Sequence, residues 1–229
     1  MGAELGIRDS ATFGDMTRVP GSTSSLLAEQ AAGRNVQIVY SPLDALTLAE
    51  QNPDREIVFV GVGFETTTPL VAMSIKRAAA AGLKNFSVFG AHKNMPGALE
   101  AIINDPQLKV DALILPGHVS TIIGAKPYQF LAEKYGIPGV ITGFEPVDVL
   151  QGIAMIMRQL HEGRAEIEIA YARGVMPEGN PVALAAIGEV FETCTALWRG
   201  LGEIPGSGYR IREEFAQFAA VRRVQPALA

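Results

Sequence analysis

Along this chain, short β-branched runs alternate with longer stretches of helical periodicity. Asn35–Tyr40, Glu56–Gly61, Asn85–Phe89, Asp111–Leu115 and Gly139–Thr142 are near-continuously apolar and bounded by Gly or Pro. That pattern predicts strands of a parallel sheet covered on both faces. Between them, 22–32, 43–51, 70–81, 97–104 and 127–135 carry helical spacing. Pro42, Pro69, Pro96 and Pro127 fall near predicted first turns, where a missing N–H costs nothing. Gly33, Gly82 and Gly136 stand where left-handed caps end such helices. Repetition of strand, loop, Pro-started helix and Gly stop predicts an α/β fold of βαβ units. Right-handed crossovers then gather the loops that follow the strands at one sheet edge, where such folds bind ligands.

In Val147–Arg164, Val147, Leu150, Ile153, Ala154, Met157 and Leu160 share one helical face. The plain expectation is a helix packing that apolar stripe on the sheet. Beyond Glu178-Gly179-Asn180-Pro181 the alternation weakens; a helix over 182–193, a Gly-rich segment over 198–208 and a charged tail are expected.

An internal repeat organises these elements. Gly14 and Gly21 bracket one loop and Gly117 and Gly124 another, with the same seven-residue spacing. Each is followed by a similar turn, Ser41-Pro42-Leu43-Asp44-Ala45-Leu46 and Glu145-Pro146-Val147-Asp148-Val149-Leu150. The expectation is two related βαβ-type halves with mainly parallel sheets. Residues 56–95 precede the second Gly-loop with no counterpart before the first, so the first half reads as N-terminally incomplete by roughly 50 residues. The divisions expected are a partial first α/β domain over 1–62, a second over 63–165, and a C-terminal extension over 166–229 packing back on the core.

Composition narrows the chemistry. The chain has 229 residues, 48% hydrophobic and 19% charged, enough for a buried core. Its net charge of −5 argues against non-specific nucleic-acid binding. A single cysteine, Cys194, excludes an internal disulfide framework and a zinc or iron–sulfur site built from this chain's thiolates alone. It falls near the end of a predicted helix with no implied His partner, which reads as a bystander thiol. The segment Met1–Ser10 lacks a signal-peptide core, and Gly6 breaks the myristoylation pattern. The apolar run around Ile57–Phe64 is too short to cross a bilayer. A cytoplasmic protein is the expectation.

Four loops could carry chemistry. Phe13–Gly21 offers Asp15 and Arg18, and Gly63–Pro69 offers Glu65, Thr66, Thr67 and Thr68 ahead of a helix. Pro116–Gly124 offers His118, Ser120 and Thr121, and Gly143–Pro146 offers Glu145. The threonines read first as capping and turn groups, and second as an anion cradle at a helix N-terminus. Two carboxylates and an imidazole meeting at one edge would suit acid–base work or a hard-metal contact. A lone loop histidine also serves as a structural hydrogen-bonding residue. His92, His118 and His161 lack metal-motif spacing, and neither a nucleophile elbow nor a P-loop occurs.

Taken in order, TFGDMTRVPGS (Thr12–Ser22), IVYSPLDAL (Ile38–Leu46), VGFETTTP (Val62–Pro69), PGHVSTIIG (Pro116–Gly124), GFEPVDVLQ (Gly143–Gln151), PEGN (Pro177–Asn180) and WRGLGEIPGSG (Trp198–Gly208) resemble the central part of the HypD family of [NiFe] hydrogenase maturation factors. The resemblance implies a scaffold, working with HypC-like and HypE-like proteins, on which the Fe(CN)2CO group is assembled. It implies two similar α/β domains and a small domain holding a [4Fe–4S] cluster. The family's CGGH and GPGCPVC motifs and its C-terminal cluster cysteines have no match here, so the redox and cluster chemistry does not carry over. What carries over is a cleft of Asp15, Arg18, Glu65, Thr66, Thr67, His118, Ser120, Thr121 and Glu145. The expectation is a shortened HypD-like scaffold without catalysis of its own. A small-molecule anion binder or enzyme built on residues 65–69 is the alternative, and self-association through an exposed sheet edge fits either.

Overall fold

The β-branched runs pair side by side as parallel strands. The structure, a computed structural model, describes residues 9–223, and the reading of Met1–Arg8 lies outside them. Its strands are β1 (Asp9–Thr12), β2 (Asn35–Ile38), β3 (Ile57–Gly63), β4 (Phe86–His92), β5 (Leu113–Pro116), β6 (Gly139–Thr142), β7 (Ile167–Ile169), β8 (Phe191–Trp198) and β9 (Gly202–Ile211). Its helices are α1 (Leu26–Ala31), α2 (Pro42–Gln51), α3 (Thr68–Ala80), α4 (Met95–Ile103), α5 (Gly117–Ile123), α6 (Gln129–Tyr135), α7 (Pro146–Glu162), α8 (Pro181–Val190) and α9 (Ala220–Arg223), with 3-10 turns at Gly14–Arg18, Lys126–Tyr128 and Glu213–Phe218.

The first sheet has the order β2-β1-β3-β4 and the second β5-β6-β7, both wholly parallel; β8 and β9 form an antiparallel hairpin. One apolar core, with Phe59, Ile75, Phe86 and Phe191, joins the first sheet to α2, α3 and α8. A second, with Leu115, Tyr128, Leu131 and Ile141, packs the second sheet against α5 and α6. No described helix is long and apolar enough to cross a membrane.

The repeat has a physical basis. Ser41 and Glu145 are the N-caps of α2 and α7, each followed by Pro at the first helical position. The Asp three residues on is kept in both copies: Asp44 accepts the Ser41 N–H at 2.9 Å, and Asp148 lies buried beneath the start of α7. Serine at the first cap completes a capping box. The copies part at the next strand, because β3 pairs with β1 whereas β7 pairs with β6.

Four elements depart from the sequence reading. Central strand β1, Asp-Ser-Ala-Thr, is buried although mostly polar. Asp9 is satisfied there by Asn35 Nδ2 at 2.6 Å and Arg55 Nε at 2.8 Å. The second Gly-bracketed segment, between Gly117 and Gly124, is helix α5 rather than a loop. Helix α8 stops at Val190, so Cys194 lies on strand β8, and the Gly-rich stretch is the turn and second strand of a hairpin. The apolar stripe of α7 faces outward, and the helix buries Asp148, Gly152, Ile156 and Gln159 instead. Gly152 decides this, since a Cβ there would come within 2.2 Å of Thr142 Cγ2 on β6. The small and polar face is the one that fits against the strand.

Candidate functional site

The carboxyl edges of both sheets carry the four loops, yet the nine candidate residues separate into three environments. Asp15 and Arg18 sit exposed on the Gly14–Arg18 turn. Asp15 Oδ1 accepts the N–H of Met16 at 3.0 Å. Among the described residues, no hydrogen bond or ion pair joins either to Glu65, His118 or Glu145.

Glu65 is buried in the turn from β3 to α3. Gly63 makes that turn possible: its φ is +146°, and a Cβ would strike the Thr67 hydroxyl. The Glu65 Oε1 accepts the N–H of Met95 at 2.9 Å, capping the start of α4, while Oε2 has no hydrogen-bond partner. Burial raises the carboxyl above its ordinary range, only partly offset by the Met95 N–H. Tyr128 and Tyr209 lie close enough for Glu65 to push their phenols up, after burial itself. Tyr128 also meets Ser120, whose hydroxyl donates to the Pro116 carbonyl at 2.7 Å. Glu65 and Ser120, from the two sheets, are therefore both buried, and Ser120 alone hydrogen-bonds Tyr128, at 3.4 Å. Asn94 caps α4 through Gly97 and donates to the Gly206 carbonyl at 2.6 Å, which ties the hairpin to β4.

The threonines are turned inward. Thr67 and Thr68 both donate to the Phe64 carbonyl, at 3.2 and 2.8 Å, and Thr121 donates to the His118 carbonyl at 2.7 Å. These are turn hydrogen bonds; Thr66 stands exposed.

The third environment is an open rim on the second sheet. His118, the second residue of α5, sets its imidazole edge-on to Phe144 with ring centres 4.5 Å apart. Glu145 is 3.4 Å from Arg173, which forks onto both Asp148 oxygens at 2.6 Å. That guanidinium holds Asp148 below the usual carboxylate range. Its central carbon lies over the Tyr171 ring, 4.5 Å from the ring centre. The rim thus offers a solvent-open imidazole, an aromatic edge and a positioned cation to any docked group.

Sequence reasoning missed Arg173 and Tyr171, which follow no repeated motif, and His92. His92 is buried on β4 against Phe191, with both ring nitrogens unpartnered. Burial lowers it to about 4, so the ring is neutral near pH 7. A cavity of about 330 Å³ runs between β4 and the hairpin, lined by His92, Lys93, Cys194, Leu197, Tyr209 and Arg210. Burial pushes the Cys194 thiol up, the opposite of an activated thiolate.

The residues do not fit a resident metal centre. Among the described residues, no group of three or more His, Cys, Asp or Glu side chains is placed to hold an ion. A [4Fe–4S] cluster takes about four thiolates, and the chain has one cysteine.

Comparison with known proteins places the chain. The profile of the HypD family, described as "Hydrogenase formation hypA family", matches residues 8–228. The chain is 55% identical over 205 residues to the hydrogenase maturation factor HypD of Rhodobacter capsulatus, covering 89% of this chain and 54% of that protein. It is 50% identical over 219 residues to the HypD of Azotobacter vinelandii, covering 93% of this chain and 58% of the relative. For the HypD of Cupriavidus necator the figures are 45% over 220 residues, with 93% and 58% covered. The chain therefore spans little more than half the length of these relatives.

Proposed function

The chain belongs to the HypD family, and from that premise we propose that it serves hydrogenase maturation as a scaffold rather than as an autonomous enzyme. One observation carries the reading: the family match runs through all four edge loops, at 44–55% identity to curated maturation factors. Burial and hydrogen bonds to the backbone support a structural rather than a reacting role for Glu65 and Ser120. The exposed candidates, Asp15, Arg18, Thr66, His118 and Glu145, are the groups left to meet a cargo or partner.

The cargo in this reading is the Fe(CN)2CO group, presented by a HypC-like protein and modified with a HypE-like one, in the cytoplasm. The chain's own residues orient that complex: His118 and Phe144 form one wall, and Arg173, fixed by Asp148, presents a fixed cation. No redox step is assigned to Cys194, whose thiol stays protonated.

Binding decides the matter. The chain is expected to bind an immobilised HypC-like protein in the micromolar range, and His118→Ala with Arg173→Ala to weaken that binding about tenfold, equal to 1.4 kcal/mol. No binding by the parent chain at about 100 μM, a free energy weaker than roughly −5.5 kcal/mol, overturns the proposal.

A further inference from the structure

The cavity between β4 and the β8–β9 hairpin shares no lining residue with the four edge loops, and its walls come from β4, the hairpin and residues 219–221 of this chain. Its shape follows from register. Gly208 pairs with Cys194 on one side and with Lys93 on the other. Directly opposed residues point to the same face, so the thiol and the lysine arm flank a position that has no side chain. A Cβ at Gly208 would come within 2.6 Å of the Ala196 Cβ and 3.5 Å of the Cys194 sulfur. Glycine there keeps the notch open.

Lys93 is the group that sets the chemistry. Its ammonium donates to the Leu197 carbonyl at 3.0 Å and lies 5.8 Å from the centre of the Trp198 ring. Among the described residues, no carboxylate lies within ion-pair distance of it. Arg210, the other cation of the lining, is already paired with Glu192 at 2.6 Å. Partial burial draws the Lys93 ammonium below its ordinary value, as befits a charge short of a counter-ion. Most of the remaining lining is apolar, with Val88, Ala196, Leu197 and Val221, and His92 adds a neutral imidazole whose nitrogens have no partner. At about 330 Å³ the cavity is near the lower end for small-molecule sites. One uncompensated cation against an apolar wall selects a single negative charge on a compact apolar body.

We propose that this cavity binds a small organic monocarboxylate, with its charged end at Lys93 and its body against Ala196, Leu197 and Val221. A ligand so seated bridges β4 and the hairpin, adding to the Asn94–Gly206 hydrogen bond that already ties them.

Benzoate titrated into the full chain tests the proposal, followed through the amide shifts of Gly90, Lys93 and Gly208 in two-dimensional NMR. A dissociation constant of about 1 mM or tighter is expected for a ligand of so few atoms. Inorganic phosphate and benzyl alcohol are each expected to bind about tenfold more weakly. Lys93→Met keeps the arm without its charge and is expected to weaken benzoate about tenfold, leaving benzyl alcohol unchanged. Gly90→Leu fills the cavity from a position where a Cβ meets nothing within 4 Å, so it is expected to abolish binding with unchanged circular dichroism. No saturable shift by about 10 mM benzoate overturns the assignment. So does phosphate or benzyl alcohol binding as tightly as benzoate, or a folded Lys93→Met or Gly90→Leu chain that holds benzoate as the parent does.

Discussion

Replacing Glu65 separates two things its carboxyl does: accept the Met95 N–H and bear the strain of a buried charge. Glu65→Ala leaves that N–H without an acceptor, at about 1–3 kcal/mol. Loss of the one buried methylene, Cγ, adds about 0.8 kcal/mol. The sum, about 2–4 kcal/mol, corresponds for a chain of this size to a fall in Tm of roughly 4–16 °C. Glu65→Gln keeps the carbonyl acceptor and removes the charge, so it is expected within about 1 kcal/mol of the parent or above it. The sign of the pH effect follows from the raised carboxyl. Folded Glu65 holds its proton more tightly than the unfolded chain does, so no penalty exists below the ordinary value of 4.5. Stability then falls as pH rises from there through the raised folded value, and levels off above it. Glu65→Gln should therefore gain on the parent across that rise. Urea denaturation followed by the single tryptophan reads this out, because Trp198 packs 6.1 Å from Phe64, next to Glu65. If Glu65→Gln loses as much at neutral pH as Glu65→Ala, an ionised carboxylate is required and the reasoning fails.

His92 works in the opposite sense. Its folded value is about 4 against an ordinary 6.5, so stability falls as pH drops between those values, by at most about 1.4 kcal/mol per pH unit. His92→Gln should lose this dependence between pH 4 and 6.5, and a variant whose slope there in urea titrations matches the parent's would refute this. Gly152→Val is expected to lose about 1–3 kcal/mol or more by overpacking, since its Cβ meets Thr142 at 2.2 Å. Gly188→Ala, in α8 where the Cβ meets nothing within 4 Å, is expected to gain about 0.5–1 kcal/mol. Both are measured as differences in unfolding free energy. Cys194 should react with iodoacetamide severalfold more slowly in the folded chain than in urea at the same pH, because burial raises its thiol; equal rates would show the thiol is free of its surroundings.

The parallel strands were legible because they are apolar on both faces; β3 reads Ile-Val-Phe-Val and is buried through all four. Strand β1 was not, because its burial is sustained by polar contacts from Asn35 and Arg55, which a hydrophobic pattern does not record. Periodicity found α7 and its stripe but not its direction, which depends on how near Gly152 lets the helix come to Thr142. The same limit applies to the loops: their place at one edge followed from βαβ topology, while the split between an inward Glu65 and an outward His118 is set by tertiary packing. Arg173 lies outside every motif and was visible only once Asp148 was seen beneath it.

The unequal placing of the third strand in the two repeats bears on how the chain reaches this state. In the second sheet each strand docks on the one formed just before it, so β5, β6 and β7 assemble in chain order. In the first, β3 must pass over β2 to find β1, and β4 waits on β3. Longer-range pairing of that kind closes larger loops and slows the rate-limiting step. The second sheet is therefore expected to protect its amides from exchange before the first in a pulse-labelled refolding experiment.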